Sequence, residues 1–212
     1  MSSHIVAPEP DLHAVLSRAQ SEGRSILLEP EVYALLASAG IDVPRHEIVT
    51  SPDKIDAAIC AALGADEAVV KIVSPDVLHK SDVGGVIMCR NSPGEVRDAV
   101  RRVLRAVQRR LPQCDVRGVL VAERVRFRHV LGREMLAGFR HDHAFGPVVM
   151  VGAGGLDTEF FLAALRPERA RSIRRASDLQ GDALAGLAML HGTVAHAALC
   201  GELRSARGEP RF

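Results

Sequence analysis

Residues Val69–Val86 read VVKIVSPDVLHKSDVGGV. The first five form an apolar, β-branched strand with one cation, Lys71, inside it. A lysine in such a run costs free energy unless it is paired or opens on a cleft. The strand gives way to a polar loop holding His79, Lys80, Ser81 and Asp82, closed by the pair Gly84–Gly85. Fixed positive charge, a nucleophilic imidazole and glycines that admit a ligand to the backbone suit the handling of phosphate. Two plainer readings stand beside it: an edge-strand lysine that blocks aggregation, and a solvated histidine.

Outward from this stretch, Val86–Cys89 reads as a returning strand. Upstream, Leu12–Ala19 is a short amphipathic stretch ended by Gly23. Pro30–Ala39 is a helix with Glu29 and Glu31 at its start and Gly40 as its stop. A short strand, Glu47–Thr50, precedes a helix expected to open at Ser51–Pro52–Asp53 and end before Gly64. Downstream, Ser92–Leu111 is the longest helix, with Val96, Val100, Val103, Leu104, Val107 and Leu111 at helical spacing. Three more strands follow at Val116–Val125, Glu134–Phe139 and Pro147–Val151. Ala164–Ala176 reads as an Arg-rich helix, and Asp182–Leu203 as a small-residue helix interrupted by Gly186, Gly192 and Gly201. The β-α-β-β-α-β order, with further strands and helices after it, predicts an α/β or α+β fold.

Bulk properties narrow the functional classes. Across 212 residues the net charge is +1, and aromatic residues make up 3% with no Trp. Neither a global field for nucleic acid or acidic membranes nor stacking platforms for single strands are present. Cys60, Cys89, Cys114 and Cys200 form no CxxC pair and are expected to be free thiols of a reducing compartment. The first residues lack the layout of a signal peptide, and no apolar run is long enough to span a bilayer, so the cytoplasm is the expected location.

Three further segments carry candidate chemistry. FGPVVMVGAGG (Phe145–Gly155) is a strand ending in glycines, where Gly154 and Gly155 allow either close approach to a ligand or a tight turn. It completes neither GxGxxG nor the P-loop lysine pattern. VLVAERV (Val119–Val125) holds Glu123 in an apolar strand, so its carboxylate should meet a cation, ribose hydroxyls or backbone donors. Glu134 and Asp142 bracket another strand and are candidates for cation or substrate contacts. His141 and His143 flank Asp142 but have no third ligand at a recognisable spacing, so zinc is not predicted there. The arginines from Arg166 to Arg175 read as the wet face of a helix.

Together the segments AGIDVP, VVKIVSPDVLHKSDVGGV, RGVLVAERV and GREMLAGFRHDHAFGPVVMVGAGG, with Glu159 just beyond, span residues 27–159. They resemble the ATP-grasp domain of NDP-forming acyl-CoA synthetases, the group that includes ADP-forming acetate–CoA ligases and is related to succinyl-CoA synthetase. The resemblance implies two α/β subdomains clasping a nucleotide: an N-terminal extension at 1–24, a first subdomain at 25–115 and a second at 116–212. It implies that Lys71 contacts the nucleotide phosphates, with Gly84, Gly85, Gly154 and Gly155 as close-approach positions. Glu123 and Val125 would lie on the hinge segment that reads the adenine and ribose. His79 would carry a phosphoryl group between ATP or ADP and a histidine of a partner CoA-binding subunit, with Mg²⁺ bridging phosphate oxygens.

The chain also departs from the family pattern. Where the family continues past Glu159 with an aspartate and an Arg-Gly-Pro segment, this chain reads FFLAALRPERARSIRRA. Near the end, the family's Mg²⁺-holding Glu-x-Asp-x-Asn-Pro pattern has as its best counterpart Glu202-Leu203-Arg204-Ser205-Ala206-Arg207, and metal ligands are not assigned. The expected function is the nucleotide-binding part of an ADP-forming acyl-CoA synthetase, whose CoA-binding partner is supplied by another chain. The alternative is a degenerate module that binds nucleotide or a partner without turnover. A carboxylate–amine ligase would share the clasp but needs no histidine loop.

Overall fold

The computed structural model describes residues 12–127, 134–155, 163–179 and 183–202. Its contacts divide the chain into two compact units, Met1–Val125 and Arg126–Phe212. The first unit contains helices α1 (Leu12–Ser21), α2 (Glu29–Ser38), α3 (Ala57–Leu63) and α4 (Pro93–Arg110). Its strands are β1 (His46–Val49), β2 (Glu67–Val73), β3 (Val86–Arg90) and β4 (Gly118–Glu123). They form one sheet in the order β1-β4-β2-β3, every neighbouring pair antiparallel. The predicted β-α-β-β-α-β order is therefore the order of β1, α3, β2, β3, α4 and β4.

Period-two alternation in β2 decides what faces what. Ala68, Val70 and Ile72 are buried on one face, with Val69 and Lys71 on the other. The buried face packs with Val96, Val100, Val103 and Val107 of α4 and with Cys60 and Leu63 of α3. Helix α4 presents these valines at i, i+4, i+7 and i+11, the stripe its spacing predicted. Burial pushes the Cys60 thiol up, and raises Cys89 to about 11.

Two boundaries and one strand position differ from the reading of the sequence. The expected division before Val116 falls inside the first unit, because β4 hydrogen-bonds between β1 and β2 and cannot leave that sheet. Pro52–Lys54 forms only a 3₁₀ turn, and α3 opens instead at Asp56, whose Oδ1 accepts the Ile59 N–H at 2.9 Å. Strand β2 is interior, which removes the edge-strand reading of Lys71.

The second unit contains a three-stranded antiparallel sheet of β5 (Met135–Asp142), β6 (Gly146–Ala153) and β7 (Arg171–Arg175) in that order. β5 and β6 form a hairpin whose turn is set by Asp142, since its Oδ1 accepts the N–H groups of Ala144 and Phe145 at 3.0 and 3.1 Å. The expected helix over Ala164–Ala176 is overturned. Pro167–Ala170 is a single helical turn, and Arg171–Arg175 pairs with Val148–Gly152 as an edge strand. The interrupted helix expected over Asp182–Leu203 is two short ones, Ala183–Ala188 and Val194–Leu199; the break comes at Gly192, with φ +82°, as expected, whereas Gly186 lies inside the first. Among the described residues no helix is long and apolar enough to cross a membrane.

The loop after β2 is closed at its base by glycine. Ile72 N–H donates to Gly85 O at 2.8 Å, and Gly85 N–H donates to Lys80 O at 2.7 Å. Gly84 sits at φ +70° against Ala106. A Cβ on Gly85 would lie 2.7 Å from Ile72 Cγ2 and 2.9 Å from Lys80 O. Gly85→Ala is therefore expected to cost roughly 1–3 kcal/mol by overpacking. Urea unfolding checks this, and an unchanged midpoint would show that the loop can move aside.

Candidate functional site

Lys71 faces away from the core, and what it meets is Glu29, at the first turn of α2. Lys71 Nζ donates to Glu29 Oε1 at 2.6 Å. Lys80, returned to the sheet by the Gly84–Gly85 turn, donates to the other carboxylate oxygen, Oε2. Tyr33 Oη, one helical turn along α2, also donates to Oε1 at 2.8 Å. The Tyr33 ring is held edge-on against His46 of β1, with centroids 4.9 Å apart. The three charged side chains are 19–26% exposed, so the cluster is half-buried and reachable.

The start of α2 is secured separately. Arg24 forks onto Glu31 at 2.9 and 2.8 Å, and Glu31 Oε2 accepts the Leu28 N–H at 2.7 Å. Of the two acids in this first turn, Glu31 holds the helix end and Glu29 holds the lysines.

Burial pushes the Glu29 carboxyl up, but the hydrogen bonds and charges of Lys71 and Lys80 outweigh it and bring the group to about 2, from an ordinary 4.5. Burial and the Glu29 charge push the Tyr33 hydroxyl up. Because folding lowers the Glu29 pKa, the ion cluster adds stability that is complete above pH 4.5 and is lost as pH falls from there through about 2. The whole increment is at most about 3 kcal/mol. Unfolding followed between pH 5 and pH 2 should show this loss, and Glu29→Gln should flatten that part of the profile. A variant profile parallel to that of the unaltered chain would count against the cluster.

His79 and Ser81 are exposed on the loop, beside Lys80. The backbone is tightly turned here: Asp82 N–H donates to His79 O at 3.2 Å and Gly84 N–H to Ser81 O at 3.1 Å. Glu123 lies elsewhere along the ladder, opposite Ala68, whereas Lys71 pairs with Leu120. Its carboxylate accepts the Arg45 backbone N–H at 2.8 Å and the Arg45 Nε–H at 2.9 Å, and these bonds hold its pKa down. The cation and backbone donor that Glu123 required are thus both Arg45. Val125 is exposed just past the end of β4.

In the second unit, Gly154 and Gly155 end β6 against β5. Gly154 N–H donates to Glu134 O at 3.0 Å, and a Cβ there would meet the Met135 backbone at 2.7 Å. Gly155 lies at φ +94° beside the Glu134 carboxylate. Strand pairing accounts for the closeness at Gly154. A cleft of about 650 Å³ in this unit is lined by Arg140, Phe145, Ile173 and Arg174 among others, and neither glycine lines it. Glu159, which extended the family motif, and residues 203–207, the closest counterpart of a magnesium segment, lie outside the described residues.

The lysine pair fits an anion with oxygens on two sides, as a phosphate has, since it already holds a carboxylate in that way. Magnesium fares differently. Among the described residues, a group of three ligand side chains within 4.8 Å of one another is His196, Cys200 and Glu202. Nitrogen and sulfur donors do not suit a hard cation that takes oxygen. This group does not fit a resident magnesium ion.

Residues 18–176 match the family described as the ATP-grasp domain. The chain is 32% identical over 167 residues to the beta subunit of acetate–CoA ligase (ADP-forming) I of Pyrococcus furiosus, covering 76% of this chain and 69% of that one. The chain belongs to the ATP-grasp family of ADP-forming acyl-CoA synthetases. A second relative, the ADP-forming 4-hydroxybutyrate–CoA ligase of Nitrosopumilus maritimus, is 30% identical over 79% of this chain, which spans only 24% of that protein. Among solved structures, acetyl-coenzyme A synthetase 1 of Ca. Korarchaeum cryptofilum, in complex with coenzyme A and Ca-AMPCP, aligns with a TM-score of 0.65 and 36% identity. That alignment covers 77% of this chain and 66% of the other. This ATP-grasp chain is homologous to the nucleotide-binding part of those synthetases, and the mixed α/β fold with antiparallel sheets agrees with the expected class.

Proposed function

We propose that the chain is the nucleotide-binding part of an ADP-forming acid–thiol ligase, in which Lys71 and Lys80 seat the phosphates and His79 relays a phosphoryl group. The observation that carries this reading is the convergence of two ammonium groups, one from an interior strand and one from the loop that also bears His79, on a single carboxylate. Two positive charges at one half-buried place stabilise the charge of a transferring phosphoryl group, and the exposed imidazole of the same loop is free to attack the phosphorus as the nucleotide leaves. The roles of Glu123, Val125, Gly84, Gly85, Gly154 and Gly155 in holding the nucleotide belong to the same reading.

The partner in this reading is a CoA-binding subunit. The P. furiosus relative is named a beta subunit, and one Korarchaeum structure is described as having a phosphohistidine segment pointing towards the nucleotide binding site. Magnesium enters as the counterion of the nucleotide, and the cytoplasm is where such a reaction would draw its ATP and CoA. The deciding experiment is incubation of the full chain with ATP and magnesium, with and without a beta-less synthetase, followed by intact-mass detection of a phosphohistidine at His79. A phosphorylated His79 that transfers its label to the partner supports the reading. Binding of nucleotide without any labelling favours the second reading, a nucleotide-binding module without turnover.

A further inference from the structure

Glu29 is placed where an incoming phosphate would have to go. Its Oε1 takes Lys71 and Tyr33 and its Oε2 takes Lys80, so the carboxylate engages both cations from one seat. These lysines lie 42 and 51 residues away in sequence, and nothing else in the first turn of α2 requires the contact. The helix end is already held by Glu31 with Arg24 and the Leu28 N–H. A phosphate reaching Lys71 and Lys80 would meet a like charge at hydrogen-bonding distance in a half-buried setting, where repulsion is weakly screened.

We propose that Glu29 is the resident counter-anion of the phosphate seat, that nucleotide binding takes Lys71 and Lys80 away from it, and that its grip tunes how tightly the nucleotide is held. This rests on the assignment of the two lysines to phosphate. Release is feasible because Glu29 stands at an N-terminal helical position, where a carboxylate is also favourable when turned to water near unpaired backbone N–H groups. Tyr33, four residues on, donates to the same oxygen and loses this acceptor when Glu29 swings out. Glu29 thus acts on nucleotide through the lysines, as a positioning residue.

The test is calorimetry of the full 212-residue chain with ATP and magnesium, on the unaltered protein and on Glu29→Gln, Glu29→Asp and Lys71→Met. Glu29→Gln keeps the shape and removes the charge, so affinity should rise about tenfold while the melting temperature without nucleotide falls. Glu29→Asp, which keeps the charge but shortens the reach, should tighten binding less and serves if the glutamine variant does not fold. Binding unchanged or weakened in both variants, with heat still lost in Lys71→Met, would leave the nucleotide site standing and overturn the role of Glu29. Absence of binding heat in the unaltered chain and in every variant would instead remove the nucleotide assignment, and this proposal with it.

Discussion

Replacing His79 by asparagine is expected to abolish acid- and CoA-dependent ATP turnover in the presence of a competent CoA-binding partner. A relay that forms a covalent phosphoryl intermediate has no substitute once the nucleophile is gone, so a fall of about a thousandfold or more is expected. Fold and nucleotide affinity should barely move. The ring is exposed, and the turn around it is built from backbone hydrogen bonds that asparagine can keep. Turnover with labelled ATP checks the first part, and calorimetry on the same sample checks the second. Retained turnover in His79→Asn would remove the relay from the mechanism even if nucleotide still binds.

Lys71→Met should weaken nucleotide binding by about 10- to 100-fold, the worth of one charge-assisted hydrogen bond to phosphate. Methionine fills a similar volume on the outer face of an interior strand, so the sheet itself should tolerate it. The price falls on Glu29, which keeps only Lys80 and Tyr33 as partners and should show a higher pKa than about 2. A modest loss of stability at neutral pH, with a smaller acid-dependent decline, should therefore accompany the binding defect. Unaltered affinity alongside a lower melting temperature would assign Lys71 a purely structural task.

Much of this site was legible because its parts are local. Alternating burial along Glu67–Val73 and the glycine pair after a polar loop are short-range patterns, and they put Lys71 and the His79–Lys80 turn where they are. Glu29 was missed as a site residue because no spacing rule links positions 29, 71 and 80. A signal existed nonetheless. A lysine inside a β-branched run needs a carboxylate, and α2 opens with two acids where one suffices to cap it. Glu123 was read as needing a cation or backbone donors, and the sequence could not say that Arg45, 78 residues away, provides both.

The Arg171–Arg175 segment failed for a different reason. Arginine is a good helix former, so local preference alone predicts a helix. Pairing with β6 overrides that preference, and only the register Val148↔Arg175 through Gly152↔Arg171 reveals it. The division of the chain went astray likewise. A strand that follows α4 in sequence inserts between two strands formed long before it, so proximity along the chain misleads about membership.

The closed base of the β2–β3 loop bears on the traffic of phosphate. Lys80 is tethered twice, by its carbonyl to Gly85 and by its amine to Glu29, and His79 is its immediate neighbour. An imidazole moored so near two anchors is a berth rather than a ferry: in the proposed relay, donor and acceptor both come alongside it.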